Sequence, residues 1–480
     1  MDENKRGTTN MPYPRWTTTK SWRPVTINVQ SPKSNLRRIN PMKNDLVVPE
    51  MSAPVIPPSE TFDPSTDSFH SAMRPIIMLA QCFSMLPVCG VNKLDASYLR
   101  FTWRSLKILY SAAVLLGVFS MTVFNVLWIF ATGINSTKMT AFVFYATSLV
   151  TAVLFLRLAR QWPCLALTWE KLEREFTSRH RRISRTTLAT RFKIVTAIVM
   201  LLALVEHGFA VLSGYIGAVE CATLHGNADI VDTYFQSQFP QVFTKMSYSL
   251  WKGILVDVIN ILSTFSWNFV DLFLILISIA LTDQFRQLNS RLNSIRGKAM
   301  PEWWWAEARN DYNHLATLTR KVDSHISSIV LLSFATNLYF ICIQLLFSFN
   351  PIRGIVRKIY LCFSFGFLLA RTTAVSLYAA SVHDESLLPA PILYSVSSSS
   401  YGNEVSRFLT QVMTDNISLT GMKFFSVTRS LVLTVAGTIV TYELVLVQFN
   451  SAQQMDQSNI TNSCEADAGQ VYNAGNATLL

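Results

Sequence analysis

Seven apolar stretches, each long enough to cross a bilayer, constrain this chain more than any other feature. They run over about 103–131, 138–160, 193–219, 250–281, 326–349, 357–382 and 427–449. A span needs roughly 20 mainly apolar residues. Inside hydrocarbon each segment must satisfy its own backbone N–H and C=O groups, which selects helices. Composition agrees: of 480 residues, 50% are hydrophobic and only 15% charged, an apolar, charge-poor balance for a soluble chain of that length. The expected fold is an all-α integral membrane protein with seven transmembrane helices. An eighth stretch, Ile76–Val91, is short and interrupted by Gln81, Pro87 and Gly90. It reads as an interfacial or partly inserted helix, with a true span as the alternative.

Charge orients the chain, because Lys and Arg accumulate on the cytoplasmic side. Ten precede residue 76, the loop after the second span is densely basic, and Arg286, Arg291, Arg296, Lys298, Arg309, Arg320 and Lys321 follow the fourth. The alternate loops are poorer, although Arg353, Arg357 and Lys358 break the trend. The expectation is a cytoplasmic N-terminus and an extracellular C-terminus. Sequons at Asn135, Asn459 and Asn476 fall on the outside in that arrangement, as glycosylation requires, whereas Asn416 falls inside. The formal charge of +11 lies beside spans, so a membrane surface, not nucleic acid, is the implied partner. Cys221 and Cys464 both lie on the expected outside, where they can pair. The cysteines and histidines show no zinc spacing, so no cofactor is expected.

Residues 1–70 are rich in Pro, Ser, Thr and Asn and lack the apolar core of a signal peptide. They are expected to form a disordered cytoplasmic region. Residues 71–382 form a six-span bundle, with helices continuing past the membrane over about 282–325. The sequence from Pro301 into the fifth span carries no further Pro or Gly, and Leu281, Phe285, Leu288, Leu292 and Ile295 share a helical face. Such extensions pack into a cytoplasmic platform; Trp303, Trp304 and Trp305 belong either to it or to an interfacial belt. Residues 383–425 hold a Ser-rich loop and an amphipathic anchor helix, Glu404–Leu419, with Val405, Phe408, Leu409, Val412 and Met413 on its apolar stripe. The seventh span occupies 426–449, and 450–480 form an extracellular tail.

Polar residues inside spans are costly and face protein or water. Glu206 and His207 stand in span three, Trp267, Asn268 and Asp271 in span four, Asn337, Tyr339 and Gln344 in span five, and Tyr360 and Arg371 in span six. Counted at 1.5 Å per residue, these clusters fall near mid-membrane. Two readings stay open. One is a buried ion network that fixes helix packing. The other is a polar, aromatic cavity suited to a sugar, whose hydroxyls need many partners and whose C–H faces lie against rings.

The last span carries Thr434, Gly437, Thr438, Thr441, Leu444, Val445 and Gln448 at helical spacing, with Glu443 off that stripe. Several copies around an axis would place the polar atoms on a pore wall and the apolar ones at a gate; an ordinary span with an interfacial Gln is the alternative. Its end, TYELVLVQF, resembles the TYhhhhhQF signature (h, hydrophobic) of insect gustatory receptors, with Thr441, Tyr442, Gln448 and Phe449 at the fixed positions. LAQCFSMLP, SWNFVDLF, SSIVLLSFATNLYFIC and LTGMK are similar to the sugar-receptor clade, the likeness covering roughly 70–450. The resemblance implies a tetrameric, ligand-gated, non-selective cation channel in the plasma membrane of gustatory neurons. It implies a central pore lined by the last helix and a sugar, a mono- or disaccharide, held in the outer half of the six-span bundle. Assembly into heteromers with other gustatory receptors stays open.

Other classes fit poorly. Neither D/E-R-Y nor N-P-x-x-Y marks a G-protein-coupled receptor, whose N-terminus would also lie outside. An inverted-repeat transporter would show an internal repeat, which is not evident. No H-E-x-x-H, P-loop or nucleophile elbow points to an enzyme.

Overall fold

The computed structural model describes residues 68–93, 95–179, 187–224, 229–348 and 354–453, with backbone alone at 176–179, 224, 443–444 and 446–453. The chain divides into a segment, Met1–Pro58, outside the described residues, and a helical unit, Ser59–Leu480. The helices are α1 (Phe69–Cys82), α2 (Leu106–Thr132), α3 (Ser136–Arg179), α4 (Leu188–Leu224), α5 (Ile230–Gln238), α6 (Pro240–Phe243), α7 (Leu250–Ser294), α8 (Glu302–Ser348), α9 (Ile355–Leu387), α10 (Pro389–Tyr394), α11 (Asn403–Thr414) and α12 (Arg429–Gln453). Six of them, α2, α3, α4, α7, α8 and α9, are long and apolar enough to cross a membrane. The protein is therefore a multi-pass membrane protein.

Three helices far exceed a membrane's needs. At 45 residues α7 is about 68 Å long, against a hydrocarbon core of roughly 30 Å. α3 and α8 are comparable, with 44 and 47 residues. Their surplus lies at the end that the charge pattern assigns to the cytoplasm, and is called the inner end below. There Leu281, Phe285, Leu288 and Leu292 of α7 are fully buried in one cluster with Trp305, Tyr312, Leu315 and Val322 of α8 and Phe408 of α11. Of the three tryptophans, Trp304 and Trp305 are buried and only Trp303 is exposed. Arg291 lies over the Trp304 ring at 4.8 Å and reaches Asp311 at 2.7 Å, so the indoles belong to the platform.

The N-terminal helix, expected as interfacial or partly inserted, is packed into the helical unit. α1 is inside: Met73, Ile77 and Ala80 have no exposed surface, and Phe69 stacks on Trp169 at 3.9 Å. Glu173 of α3 accepts the N–H of Phe69 at 2.8 Å, and Glu170 accepts that of Ala96 at 2.9 Å. Free N–H groups at a helix start are thus matched by carboxylates, the charge that a helix N-terminus favours. The helix stops at Cys82 because Gln81 bonds the carbonyls of Leu86 and Val88 at 3.1 and 2.9 Å, holding 83–91 as a folded loop.

The anchor helix is shorter than its pattern. α11 ends at Thr414, not Leu419, and residues 415–419 run on into an antiparallel pair, β1 (Thr420–Gly421) and β2 (Phe425–Ser426). Val405, Phe408 and Val412 are buried, whereas Met413 is 57% exposed. Asp323 of α8 makes the break possible, accepting the N–H of Thr420 at 2.6 Å and its hydroxyl at 2.8 Å. The hairpin turns through Met422 and Lys423 at φ 51° and 63°. At Gly421 a Cβ would meet the Phe425 ring at 2.4 Å, so any other residue there displaces that ring. β2 then leads into α12.

Ion pairs hold α11 on α8. Glu404 accepts Arg309 Nε at 2.8 Å and Arg407 Nη1 at 2.6 Å. The hydrogen bond from Arg309, helped by both positive charges, keeps the Glu404 carboxyl below its ordinary range. A carboxyl with a lowered folded pKa stabilises the docked state above its unfolded pKa and loses that contribution as pH falls through the folded value. Hydrogen exchange across Asn403–Thr414, corrected for the intrinsic rate, should speed up on acidification below about pH 4. Glu404→Gln should speed it at neutral pH and flatten the acid step. An unchanged profile in that variant would remove the ion pair from the account.

Candidate ligand cavity

A cavity of about 600 Å³ opens toward the outer end of the bundle, within the roughly 300–1,000 Å³ of small-molecule sites. α3, α4, α7, α8 and α9 wall it, and the short helices α5 and α6, between α4 and α7, cover it. Of the residues singled out in the sequence, Glu206, His207, Trp267, Gln344 and Tyr360 line it. Aromatic faces come from Trp128, Phe144, Tyr145 and Tyr234 as well, and polar groups from Thr140, Ser237, Gln241, Asp257, Asn260 and Thr264.

A hydrogen-bonded chain fixes one wall. Gln344 Nε2 donates to Ser364 Oγ at 3.2 Å, and Ser364 donates to Glu206 Oε1 at 2.6 Å. Opposite, the Tyr145 hydroxyl donates to Asn260 Oδ1 at 3.2 Å. Two lining residues each hold a buried polar atom with no partner among the described residues: Trp267 Nε1, a donor, and Gln344 Oε1, an acceptor. An unsatisfied buried group costs about 1–3 kcal/mol. A ligand carrying hydroxyls can accept from the first and donate to the second once each side chain turns its buried atom into the cavity, recovering that cost on binding.

Five expected site residues lie elsewhere, four of them together. Asn268, Asp271, Asn337 and Arg371 form a network beneath the Trp267 ring, each at most 3% exposed. Arg371 Nε lies 2.7 Å from Asp271 Oδ2, and its guanidinium also donates to the carboxamide oxygens of Asn268 and Asn337. Ser333 and Asn337 donate to Asp271 at 2.5 and 3.0 Å. The guanidinium sits 4.4 Å from the Trp267 ring, so the network supports the cavity floor from below. Tyr339 faces neither: it packs on Phe340 at 5.3 Å. That contact belongs to a cluster holding Ile341, Leu345 and Leu368, with Trp267 and Ile439 of α12 packed against it.

Asp257 and Asn260 were missed although they carry the same mark as Asn268 and Asp271: polar residues three apart in the apolar run 250–281. Ser237 and Gln241 gave no such mark, because the covering helices lie outside the spans.

On α12, the hydroxyls of Thr434, Thr438 and Thr441 donate to the carbonyls of Ser430, Thr434 and Gly437. Tyr442 and Val445 are 51% and 41% exposed in the single chain, and Thr438 and Thr441 are exposed too. The side chains of Leu444, Gln448 and Phe449 lie outside the described residues, as do Asn459, Asn476 and Cys464. Asn135 is exposed in the turn between α2 and α3, and Cys221 is disulfide-bonded.

A polar, aromatic cavity within a bundle of membrane-length helices defines a multi-pass membrane protein with room for a small ligand. The family described as trehalose receptor matches residues 33–464. "Gustatory receptor for sugar taste 64f" of Drosophila melanogaster is 38% identical over 400 residues, 82% of this chain and 84% of that protein. "Gustatory receptor 5a for trehalose" of the same species is 35% identical over 383 residues, 80% and 85% of the two chains. The chain belongs to the sugar-receptor family of insect gustatory receptors, and its relatives are receptors, not enzymes. Among solved structures, the insect olfactory receptor OR5 from Machilis hrabei in complex with eugenol superposes with a TM-score of 0.58 at 15% identity, over 78% of this chain and 97% of that one. At that identity the likeness is one of fold.

Proposed function

We propose that the chain is a sugar-taste receptor acting as a ligand-gated, non-selective cation channel in the plasma membrane of gustatory sensory neurons. Four copies surround a pore lined by α12 as the seventh span, with the N-terminus inside and the C-terminus outside. The observation that carries the ligand class is the cavity lining, where aromatic faces such as Trp267 and Tyr145 stand beside polar side chains such as Thr140, Asn260, Thr264 and Gln344. Family membership supports a saccharide, and the relative described for trehalose makes that disaccharide the first ligand to try.

Gating follows from differential affinity. Moving a closed-to-open ratio from 1:99 to 99:1 takes a preference of about 10⁴-fold; four sites reach it with roughly tenfold each. The cluster joining Trp267 and Phe340 to Ile439 is the physical link from cavity floor to α12. Expressed alone in a cell line and screened with mono- and disaccharides, the receptor should pass currents that reverse at the cation equilibrium potential and need no sugar gradient. A reversal potential that tracks the sugar gradient would make it a transporter. Gln448→Ala should change open probability while leaving the tetramer intact on native gels; identical currents at every sugar concentration would take Gln448 off the pore.

A further inference from the structure

Among the described residues, the titratable side chains on the cavity wall are Glu206, Asp257, His207, Tyr145, Tyr234 and Tyr360, with no lysine or arginine. Three described cations stand behind the wall, Lys138 among them at 5.1 Å from the Trp128 ring that lines it. Arg371 lies beneath Trp267 and is paired with Asp271. Lys138 is 4% exposed and donates to the hydroxyl and carbonyl of Thr132 at 2.7 and 3.2 Å. Arg357 reaches Glu220 at 3.2 Å. Two carboxylates face the cavity: Glu206, which accepts from the neutral Ser364 hydroxyl and so keeps its charge, and Asp257, which accepts no hydrogen bond among the described residues and stands half-buried on α7.

A neutral saccharide needs only hydroxyl donors and acceptors, which the uncharged lining supplies. An uncompensated acid at the wall does more, because it sets the sign of charge that can enter. Two like charges brought together in a partly desolvated cavity repel far more strongly than in water, which keeps an anion out. An ammonium gains instead. Rejection by an unpaired like charge is a usual route to selectivity.

We infer that Asp257 makes the cavity a charge filter: it admits neutral sugars and protonated amino sugars, and excludes sugar acids and sugar phosphates. The inference rests on the sugar-binding reading for its ligands but not for its test. In the full-length protein in nanodiscs, Thr264→Cys on the cavity wall is labelled with a cationic or an anionic methanethiosulfonate of equal size, and the rates at that cysteine are read by mass spectrometry. The free thiols of Cys82 and Cys164, both exposed, serve as references. Ala141→Cys on α3 is the second reporter should the first variant fail to fold. The cation should label the cavity at least tenfold faster than the anion, relative to the reference thiols, and Asp257→Asn should lower that ratio at least threefold. Equal ratios in the presence of Asp257, or a ratio that Asp257→Asn leaves intact, overturn the filter. Protection by trehalose and by its 2-amino derivative, but not by trehalose 6-phosphate, supports it; protection by the phosphate overturns it. A charge-dependent ratio with no protection by any sugar upholds the filter and sinks the sugar reading alone.

Discussion

Arg371→Met should stop the chain from accumulating as a folded protein, and adding Asp271→Asn should restore most of it. The guanidinium and its carboxylate are each 1% exposed, so removing the arginine strands a buried charge. Breaking one partner of such a pair costs about 3–5 kcal/mol, a large share of any domain's stability. Ser333 and Asn337 still donate to Asp271 in the single variant, but neither supplies a positive charge. The double variant removes both charges, and replacing a whole buried pair is often close to neutral. Size-exclusion profiles of a fluorescent fusion, with melting curves of the solubilised protein, separate the two cases. If Arg371→Met folds normally and loses only its sugar response, the arginine is a ligand contact and the network is not the support described here.

That experiment touches the limit of what the sequence revealed. Periodicity and length located the six long spans and the extension of α7 and α8, because a stripe such as Leu281, Phe285, Leu288 and Leu292 has one explanation on a helix. It could not separate Trp267 from Asn268 and Asp271. Neighbouring residues on a helix point about 100° apart, so one mid-membrane cluster supplies a cavity wall and a buried network at once. Burial of α1 was hidden for a different reason. Glu170 and Glu173 satisfy N–H groups more than seventy residues away, and no local pattern encodes such a partner. The early end of α11 likewise depends on Asp323, some ninety residues upstream.

The second large effect concerns the cavity floor. Trp267→Phe should raise the sugar concentration for half-maximal current by roughly 5- to 150-fold, the range of about 1–3 kcal/mol for one hydrogen bond to a group otherwise left unsatisfied. The phenyl ring keeps the contact with Phe340, now at 4.7 Å, and a face for the Arg371 guanidinium, so the maximum current should stay. Trp267→Ala removes the ring as well. It opens a void beside the cluster that reaches Ile439, at a cost near 3–5 kcal/mol, and uncovers the guanidinium below. Its maximum current should therefore fall even at saturating sugar, and its melting temperature with it. The pair of variants separates recognition from transmission: potency is read in the first and efficacy in the second. Should Trp267→Phe respond at wild-type concentrations, the indole N–H is satisfied by water in the bound state, and discrimination passes to Gln344, whose unpartnered Oε1 sits on the same wall.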